Sequence, residues 1–176
     1  MKKVILYIAS SIDGLIADKD NSTNWLHDPD YSFEGEDFGF TDLMESIDTI
    51  FMGNKTMEAI LGFDIPFPYK GKKVYVVTRT PESKSHPEAT YISDWKTELE
   101  NLKSQGGKDI WLIGGGQLNT AFLDHSMIDK LIITIIPCSL GQGTPLFPNS
   151  KALNKFKLES SKSYGNGMVQ LTYVPD

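Results

Sequence analysis

Three consecutive glycines, Gly114, Gly115 and Gly116, are the residues of this 176-residue chain whose spacing most clearly suggests chemistry. They follow the apolar residues 110–113 and lead directly into a segment that can form a helix. Glycine lets the main chain come within hydrogen-bond distance of an anion, and the start of a helix presents free N–H groups and a partial positive charge. The pattern therefore favours a phosphate-binding turn, although three glycines alone fit an ordinary strand-to-helix turn equally well.

Two other predicted strands end in similar residues. The strand at 47–52 is followed by a glycine, a cation and a hydroxyl at the start of a predicted helix, and the strand at 74–78 ends in a hydroxyl and an arginine. Since the carboxyl ends of parallel strands lie at one edge of a sheet, these residues are expected to meet the triple glycine there and to bind a nucleotide with several phosphates. The residues concerned are Gly53, Asn54, Lys55, Thr56, Thr78 and Arg79.

The strands themselves are predicted from continuous apolar runs, which are typical of strands covered on both faces. Such runs occur at residues 4–9, 47–52, 74–78, 109–113 and 131–136, and a short strand is expected within 89–92. Alternating residues at 156–159 and 169–173, on either side of a glycine-rich turn, predict a C-terminal antiparallel hairpin.

Helical spacing predicts four helices between these strands. They cover residues 36–46, a segment that ends at Gly62, a segment that starts near Asp94 behind a Ser93 cap, and the segment after the triple glycine. Residues 10–25 are expected to form a long loop, and 27–35 an irregular one. Strands that alternate with helices imply an α/β fold with a mostly parallel central sheet flanked by helices, and we expect a single domain over residues 1–176.

The overall composition narrows the classes of partner. The formal net charge is −6 and the isoelectric point about 5.0, which argues against non-specific nucleic-acid binding. Cys138 is the single cysteine, so no disulfide can form within the chain. No apolar window approaches the ~18 residues of a membrane span, and a cytoplasmic protein without a membrane partner is expected. The histidines and acids show no metal-ligand spacing, so no metal is expected.

Five sequence blocks together resemble the dihydrofolate reductase superfamily, in particular the reductase domain of riboflavin biosynthesis (the RibD C-terminal domain) and its stand-alone bacterial members. The resemblance covers nearly the whole chain, with the blocks in the family's order. They are residues 11–17 (similar to S-L-D-G-x-I-A), 49–58 (M-G-R-K-T-x-E), 76–79 (V-x-S/T-R), 113–116 (I-G-G-G/S) and 143–148 (D/G-T-x-F-F-P).

The resemblance implies a dihydrofolate reductase-like fold and NADPH-dependent hydride transfer to a pyrimidine- or pteridine-derived small molecule. It assigns the cofactor pyrophosphate to Gly114, Gly115, Gly116, Gln117 and Leu118. It assigns the 2′-phosphate side of the adenosine to the strand ends that carry Lys55, Thr56, Thr78 and Arg79. It assigns the nicotinamide to Ala9, Ile16 and Ala17, and it implies that Trp25 closes over the substrate.

One position departs from the family pattern. Asn54 stands where the family usually has the arginine that recognises the 2′-phosphate, so a bidentate guanidinium–phosphate contact is lost. Lys55 and Arg79 can substitute for this arginine, and NADPH remains favoured over NADH.

Asp37 is the candidate catalytic acid. It precedes Gly53 by the spacing of the dihydrofolate reductase carboxylate, and Thr134 falls at the position of the threonine that bonds that carboxylate. Asp37 is then expected to be half-buried with a raised pKa, where it orients the substrate or assists proton delivery. The alternatives are that the neighbouring Glu36 has this role, or that Asp37 is an ordinary acid at a helix start.

Three functions follow from the resemblance. The first is reduction of a ribosylaminopyrimidine phosphate of the riboflavin route or a close analogue, the second is dihydrofolate reduction, and the third is NADPH binding without turnover. Residues 26–35 differ from the proline-rich segment with which the folate enzymes bind the pterin. This difference weakens the case for dihydrofolate reduction. The relatives are often dimers and a terminal hairpin offers a free sheet edge, so a homodimer is expected.

Overall fold

The computed structural model describes residues 1–31 and 35–176, and its central feature is one large sheet between two layers of helices. The strands are β1 (Val4–Ser11), β2 (Leu15–Asp18), β3 (Ile47–Gly53), β4 (Lys73–Val77), β5 (Thr90–Ile92), β6 (Asp109–Gly114), β7 (Lys130–Ile136), β8 (Gly143–Pro145), β9 (Phe156–Ser163) and β10 (Val169–Pro175). The α-helices are α1 (Phe40–Ser46), α2 (Asn54–Leu61), α3 (Trp95–Ser104) and α4 (Gly116–Asp124).

The sheet has eight strands in the order β5-β4-β3-β6-β1-β7-β10-β9. The six strands from β5 to β7 are parallel, and β10 runs antiparallel to both β7 and β9. The predicted α/β fold with a mostly parallel sheet and a C-terminal hairpin is therefore confirmed. The carboxyl ends of β3, β6 and β1 follow one another along one edge, so the turns after them are neighbours.

Two apolar cores cover the two faces of the sheet. Strand residues alternate between them, as β6 shows: Leu112 packs in the core that includes α3 and α4, and Trp111 in the core that includes α1 and α2. Leu99 and Phe122 fill the first core from its helices, and Met57 the second. This double coverage explains why the strands are apolar at consecutive positions.

The long loop predicted for residues 10–25 is only partly correct, because β2 lies within it. This strand pairs with β8 in a separate two-stranded sheet. The pairing joins segments far apart in the chain, so no local pattern indicates it. A third apolar cluster, around Ile136, Tyr164 and Met168, packs beside this region.

Two helix starts also differ from the prediction. Helix α1 begins at Phe40 and not at residue 36, because the N–H of Phe40 and its neighbours bond back to Asp37. Helix α3 is capped by Asp94, whose carboxylate accepts a hydrogen bond from the Thr97 N–H, and not by Ser93. Of the predicted irregular segment 27–35, residues 29–31 form a short 3-10 helix, and 32–34 lie outside the described residues.

The sheet edge opposite the glycine turns is held by carboxylates. Asp129 accepts hydrogen bonds from the Val4 N–H at 2.8 Å and the Lys103 ammonium at 2.7 Å. Lys2, whose side chain is only 3% exposed, pairs with Asp48. Burial raises the pKa of Asp48, but hydrogen bonds from Lys2, Thr49 and the Lys108 N–H outweigh it and lower the pKa below its usual value.

Replacing the buried lysine should therefore destabilise the fold. We expect Lys2→Met to lower the free energy of unfolding by about 1–3 kcal/mol, because Asp48 loses the charged hydrogen-bond donor that the buried Lys2 supplies. Urea unfolding measures the effect. Lys19→Met is the matched control, since the Lys19–Asp20 pair is about 70% exposed on both sides and should contribute less than about 0.5 kcal/mol. Equal effects of the two substitutions would contradict this prediction.

Candidate active site

The triple glycine forms a tight turn between β6 and α4. Gly114 has φ of 121°, the peptide bond between Gly114 and Gly115 is cis, and no side chain caps the start of α4 at Gly116. A Cβ built on Gly116 would overlap the backbone oxygen of Pro145, so only glycine fits here. Gly116 is buried against this segment, and the N–H groups of Gly116 and Gln117 at the start of α4 have no acceptor within the helix, which is the arrangement that can bind an anion. Gln117 is exposed, while Leu118 is buried and faces the core.

The turn after β3 lies directly beside the triple glycine. A Cβ built on Gly53 would be 3.6 Å from the Gly115 nitrogen, and one built on Gly115 would be 3.6 Å from the Thr56 hydroxyl. Helix α2 starts after Gly53 with no side-chain cap, as α4 does. Two uncapped helix starts thus lie side by side on neighbouring strands, and the two sequence signals come together as expected.

A small charged cluster lies after the carboxyl ends of β3 and β4. The Asn54 amide donates a hydrogen bond to Glu58 at 2.8 Å, and the Lys84 ammonium binds the same Glu58 oxygen at 3.1 Å. Hydrogen bonds from Lys84 and Asn54 lower the pKa of Glu58 below its usual value. Lys55 and Arg79 are exposed, and Thr78 is half-buried at the end of β4. Sequence reasoning missed Lys84, because it lies in the loop after β4 and its contact with α2 is not local.

The segment 143–148 holds the opposite wall of the cleft against the glycine turn. A Cβ built on Gly143 would lie 2.0 Å from the Ala17 oxygen, and the Leu146 N–H donates to the Gly14 oxygen at 2.9 Å. From α4, the Asn119 amide donates to the Leu146 oxygen at 3.2 Å. Ile16 and Ala17 are buried on β2, and Ala9 is half-buried on β1.

Asp13, the acid of the S-I-D-G block, has a structural role. Its carboxylate accepts hydrogen bonds from the Ser11 hydroxyl at 2.6 Å and from the Gly141 N–H at 2.7 Å, with further bonds from Ser139 and the Leu140 N–H. These bonds, led by that from Ser11, hold the pKa of Asp13 well below its usual range. The block therefore fixes β1 to the turn at 139–141.

A cavity of about 160 Å³ lies toward the carboxyl ends of β1 and β7, and the side chains that line it in the described part of the chain are uncharged. Its polar floor is a chain of neutral groups. Gln170 donates hydrogen bonds to the Thr134 hydroxyl at 3.0 Å and to the Phe38 oxygen at 2.8 Å, and the Tyr7 hydroxyl donates to the same Phe38 oxygen at 3.1 Å. Burial, followed by the nearby Tyr164, raises the pKa of Tyr7 to about 12. The remaining lining residues are Ile8, Ala9, Leu26, Tyr31, Ile136 and Met168.

Gln170 was missed by sequence reasoning, although β10 was predicted. It reaches Thr134 because the two residues are paired across β7 and β10, and this register was not predictable. Trp25 is not among the lining residues of the cavity. It packs with Leu26 and Tyr31 against the third apolar cluster, and its buried indole N–H has no hydrogen-bond partner in the described part of the chain.

The predicted burial and raised pKa of Asp37 are wrong. Asp37 is exposed, and its carboxylate accepts hydrogen bonds from the Gly39 and Thr41 N–H groups, both at 2.9 Å. The side-chain and backbone hydrogen bonds from Thr41, and that from Gly39, lower its pKa. Thr134 binds Gln170 and no bond joins it to Asp37. The alternative that Asp37 is an acid at a helix start is the one that the geometry supports.

Glu36 is tied to the hairpin. It pairs with Lys162 at 2.8 Å and accepts the Phe38 N–H at 2.9 Å, and these contacts, led by Lys162, lower its pKa. In residues 1–31 and 35–176, no three His, Cys, Asp or Glu side chains come together as a metal site requires. No helix in those ranges is both long and apolar enough to cross a membrane.

Comparisons with known proteins bear on this geometry. A model of the RibD C-terminal domain family matches residues 67–170. The uncharacterized protein YwjB of Bacillus subtilis strain 168 is 39% identical over 175 residues, which cover 98% of each chain. Among solved structures, a protein from Shewanella sp. PV-4 assigned by name to riboflavin biosynthesis has a TM-score of 0.87 and 31% identity, with 99% of each chain covered.

A more distant solved structure shares the fold. The diaminohydroxyphosphoribosylaminopyrimidine deaminase/5-amino-6-(5-phosphoribosylamino)uracil reductase of Thermotoga maritima has a TM-score of 0.75 and 19% identity. The match covers 99% of this chain and 57% of that one, so the present chain corresponds to about half of the larger protein.

The contact at Gly116 predicts a stability change opposite to the usual one. Alanine normally stabilises a helix relative to glycine by up to about 1 kcal/mol, but here its Cβ would clash with the Pro145 oxygen. We expect Gly116→Ala to lower the free energy of unfolding by about 1–3 kcal/mol in urea unfolding. Gly106→Ala is the control, because a Cβ there meets open space and should change stability little. A Gly116→Ala protein as stable as the original would mean that segment 143–148 does not lie against α4.

The hydrogen bonds of Asp37 predict a pH-dependent stability contribution. Asp37→Ala should destabilise α1, whereas Asp37→Asn should retain part of the stability, because its single amide oxygen can replace only one of the two carboxylate oxygens that accept the Gly39 and Thr41 N–H groups. Since the folded-state pKa is lowered, the difference between the original protein and Asp37→Ala is fully present above the unfolded pKa of about 3.9 and is lost as the pH falls below it. Thermal unfolding between pH 3 and 8 measures this. Asp42→Ala, in the first turn of α1, is the control, and an equal effect there would contradict the assignment.

Proposed function

Because this chain belongs to the RibD C-terminal domain family, we propose that it is an NADPH-dependent reductase that transfers a hydride to a pyrimidine- or pteridine-derived substrate, of the type used in riboflavin biosynthesis. The observation that carries the proposal is the pair of uncapped helix starts beside an uncharged cavity. The first feature suits a pyrophosphate, and the second suits a planar heterocycle.

The backbone around the two glycine turns fits a dinucleotide. Pro145 leaves no room for a side chain at Gly116. Because Gly53 and Gly115 have no side chains, the backbone between α2 and α4 is not covered by any at these positions. The N–H groups at the two helix starts would bind the pyrophosphate. Lys55 and Arg79, both exposed at the next strand ends, would bind the 2′-phosphate of the adenosine in place of the missing arginine.

The walls of the cleft would position the reacting groups. Ala9, which lines the cavity, together with the β2 segment that carries Ile16 and Ala17, would lie against the nicotinamide. When bound, NADPH supplies the hydride, and the substrate takes up one proton to complete the reduction. The apolar lining excludes water and aligns the acceptor carbon. Tyr7 is protonated at neutral pH, as an ordinary tyrosine is, and burial raises its pKa further to about 12.

The geometry argues against dihydrofolate reduction. A pterin with a guanidine-like edge needs a carboxylate in the cavity, and none is among the described lining residues; the carboxylate of Asp37 is bound to the N–H groups at the start of α1. Asp37→Asn should therefore leave the turnover number of the reductase unchanged. An unchanged turnover number would distinguish the proposed reductase from a dihydrofolate reductase.

The proposal is tested by binding and turnover measured together. NADPH affinity is measured by fluorescence titration, and NADPH oxidation is followed at 340 nm with dihydrofolate and, in parallel, with the ribosylaminopyrimidine in its phosphorylated and unphosphorylated forms. We expect NADPH to bind, and oxidation to occur with the pyrimidine and not with dihydrofolate. Absence of NADPH binding would overturn the proposal, and tight binding without turnover of either compound would favour an NADPH-binding module.

A charge substitution tests the cofactor side independently of the substrate. We expect Arg79→Gln to weaken NADPH binding about tenfold and to leave NADH binding unchanged, because only NADPH has the 2′-phosphate. Lys70→Gln is the matched control, since Lys70 is exposed in the loop before β4, at the other end of that strand. A parallel loss of affinity for both cofactors would contradict the role given to Arg79.

A further inference from the structure

The cavity beside the proposed cofactor cleft has no charged side chain among its described lining residues. These nine residues are aliphatic, aromatic or hydroxyl-bearing, and Gln170 joins Phe38 and Thr134 of the cavity floor through hydrogen bonds, while Tyr7 bonds the same Phe38 oxygen. The cavity of about 160 Å³ opens to the surface, so a ring bound in it would direct its substituents toward the rim.

The floor presents a hydrogen-bond donor. The Thr134 oxygen accepts a hydrogen bond from Gln170 at 3.0 Å, so the hydroxyl hydrogen of Thr134 is left to donate to a ligand. Gln170 is in turn fixed by the Phe38 oxygen at 2.8 Å. Such a floor binds a ring carbonyl or an unprotonated ring nitrogen, and Gln170 acts as the positioning residue that orients Thr134.

The rim is acidic. The described residues 26–31 and 35–38 supply Leu26, Tyr31 and Phe38 to the cavity, and they contain four carboxylates and neither lysine nor arginine. Of these carboxylates, Asp28, Asp30 and Asp37 are exposed, and each is within two residues of a lining residue in the chain. Their charges repel a phosphate at the opening, most strongly at low salt.

No described cation compensates at this rim. Lys162, which comes from β9, is paired with Glu36 at 2.8 Å and lies 4.6 Å from the Tyr164 ring centroid. The cations of the cofactor side are at the ends of β3 and β4. The cavity is lined from β1 and β7, and β3 is two strand spacings from β1, roughly 10 Å away, with β4 one further. At this separation, salt largely screens the attraction of these cations for a phosphate at the rim.

We infer that the substrate of this site is an uncharged heterocycle whose substituent carries no phosphate group, held by Thr134 through a ring carbonyl or ring nitrogen. The inference rests on the proposed reductase function and narrows its substrate class. It separates this chain from a reductase that acts on a phosphoribosylaminopyrimidine, because that substrate would place two negative charges at an acidic rim.

Two ligands that differ only in the phosphate test the inference. Protein saturated with NADP⁺ is titrated calorimetrically under anaerobic conditions with 5-amino-6-ribosylaminouracil and with its 5′-phosphate, in 20 mM and in 500 mM salt. We expect the unphosphorylated compound to bind at least tenfold more tightly in low salt. The gap should narrow in high salt, because screening weakens the repulsion and leaves the neutral ligand unaffected.

Variants identify the groups responsible. Thr134→Val should weaken both ligands equally, and Gln170→Leu should do the same by releasing Thr134. Glu36→Gln should strengthen only the phosphorylated ligand, since it removes an acid and frees Lys162. Glu159→Gln is the matched control, because it frees Lys130 at the far end of β7 and should change neither affinity.

The outcomes separate this inference from the proposed function. Equal or tighter binding of the phosphorylated compound overturns the inference and leaves the reductase proposal standing. NADP⁺ binding with no binding of either pyrimidine also overturns it. If NADP⁺ itself does not bind, the proposed function fails and the inference fails with it.

Discussion

The close approach of residues 143–148 to the glycine turn and to β2 determines the shape of the cleft between them. Residues 143–148 lie so near Gly116 on one side and Ala17 on the other that a Cβ at Gly116 or Gly143 would overlap a backbone oxygen. Main-chain contacts are rigid, because no side chain can rotate away to relieve them. The distance between the glycine turn and the β2 wall is therefore set by backbone alone. A dinucleotide bound in the proposed cleft would thus contact two walls whose separation is fixed.

The parallel sheet and its glycine turns could be predicted because their signals are local. An apolar run of five or six residues followed by glycine indicates a buried strand and its end whatever the rest of the chain does. The neighbouring position of Gly53 and Gly115 followed from the rule that parallel strands end at one edge. The contacts that could not be predicted from the sequence are long-range ones. The pairing of β2 with β8, the contact of Lys84 with Glu58, and the register that brings Gln170 to Thr134 all join residues distant in the chain.

Asp37 shows why a correct spacing can suggest a wrong environment. A carboxylate at a helix start can turn toward a cavity or toward the free N–H groups of its own helix. Here Gly39 and Thr41 offer two N–H groups at 2.9 Å, and the second alternative is realised. The polar groups that the described side chains bring to the cavity are then neutral hydroxyls, and Asp28, Asp30 and Asp37 are exposed near its opening.

The carboxylates at the opposite edge of the sheet have a consequence for how this chain can change. The amino ends of the strands are held together by side-chain contacts of Lys2, Asp48 and Asp129. The proposed cofactor cleft is held in shape by main-chain contacts instead. Asp37 stabilises the start of α1, but neither set of contacts uses Leu26, Tyr31 or Phe38, which line the cavity. This part of the lining can therefore change without loosening either set of contacts. Natural selection, or a designer, can exchange it to adapt one scaffold to new metabolites.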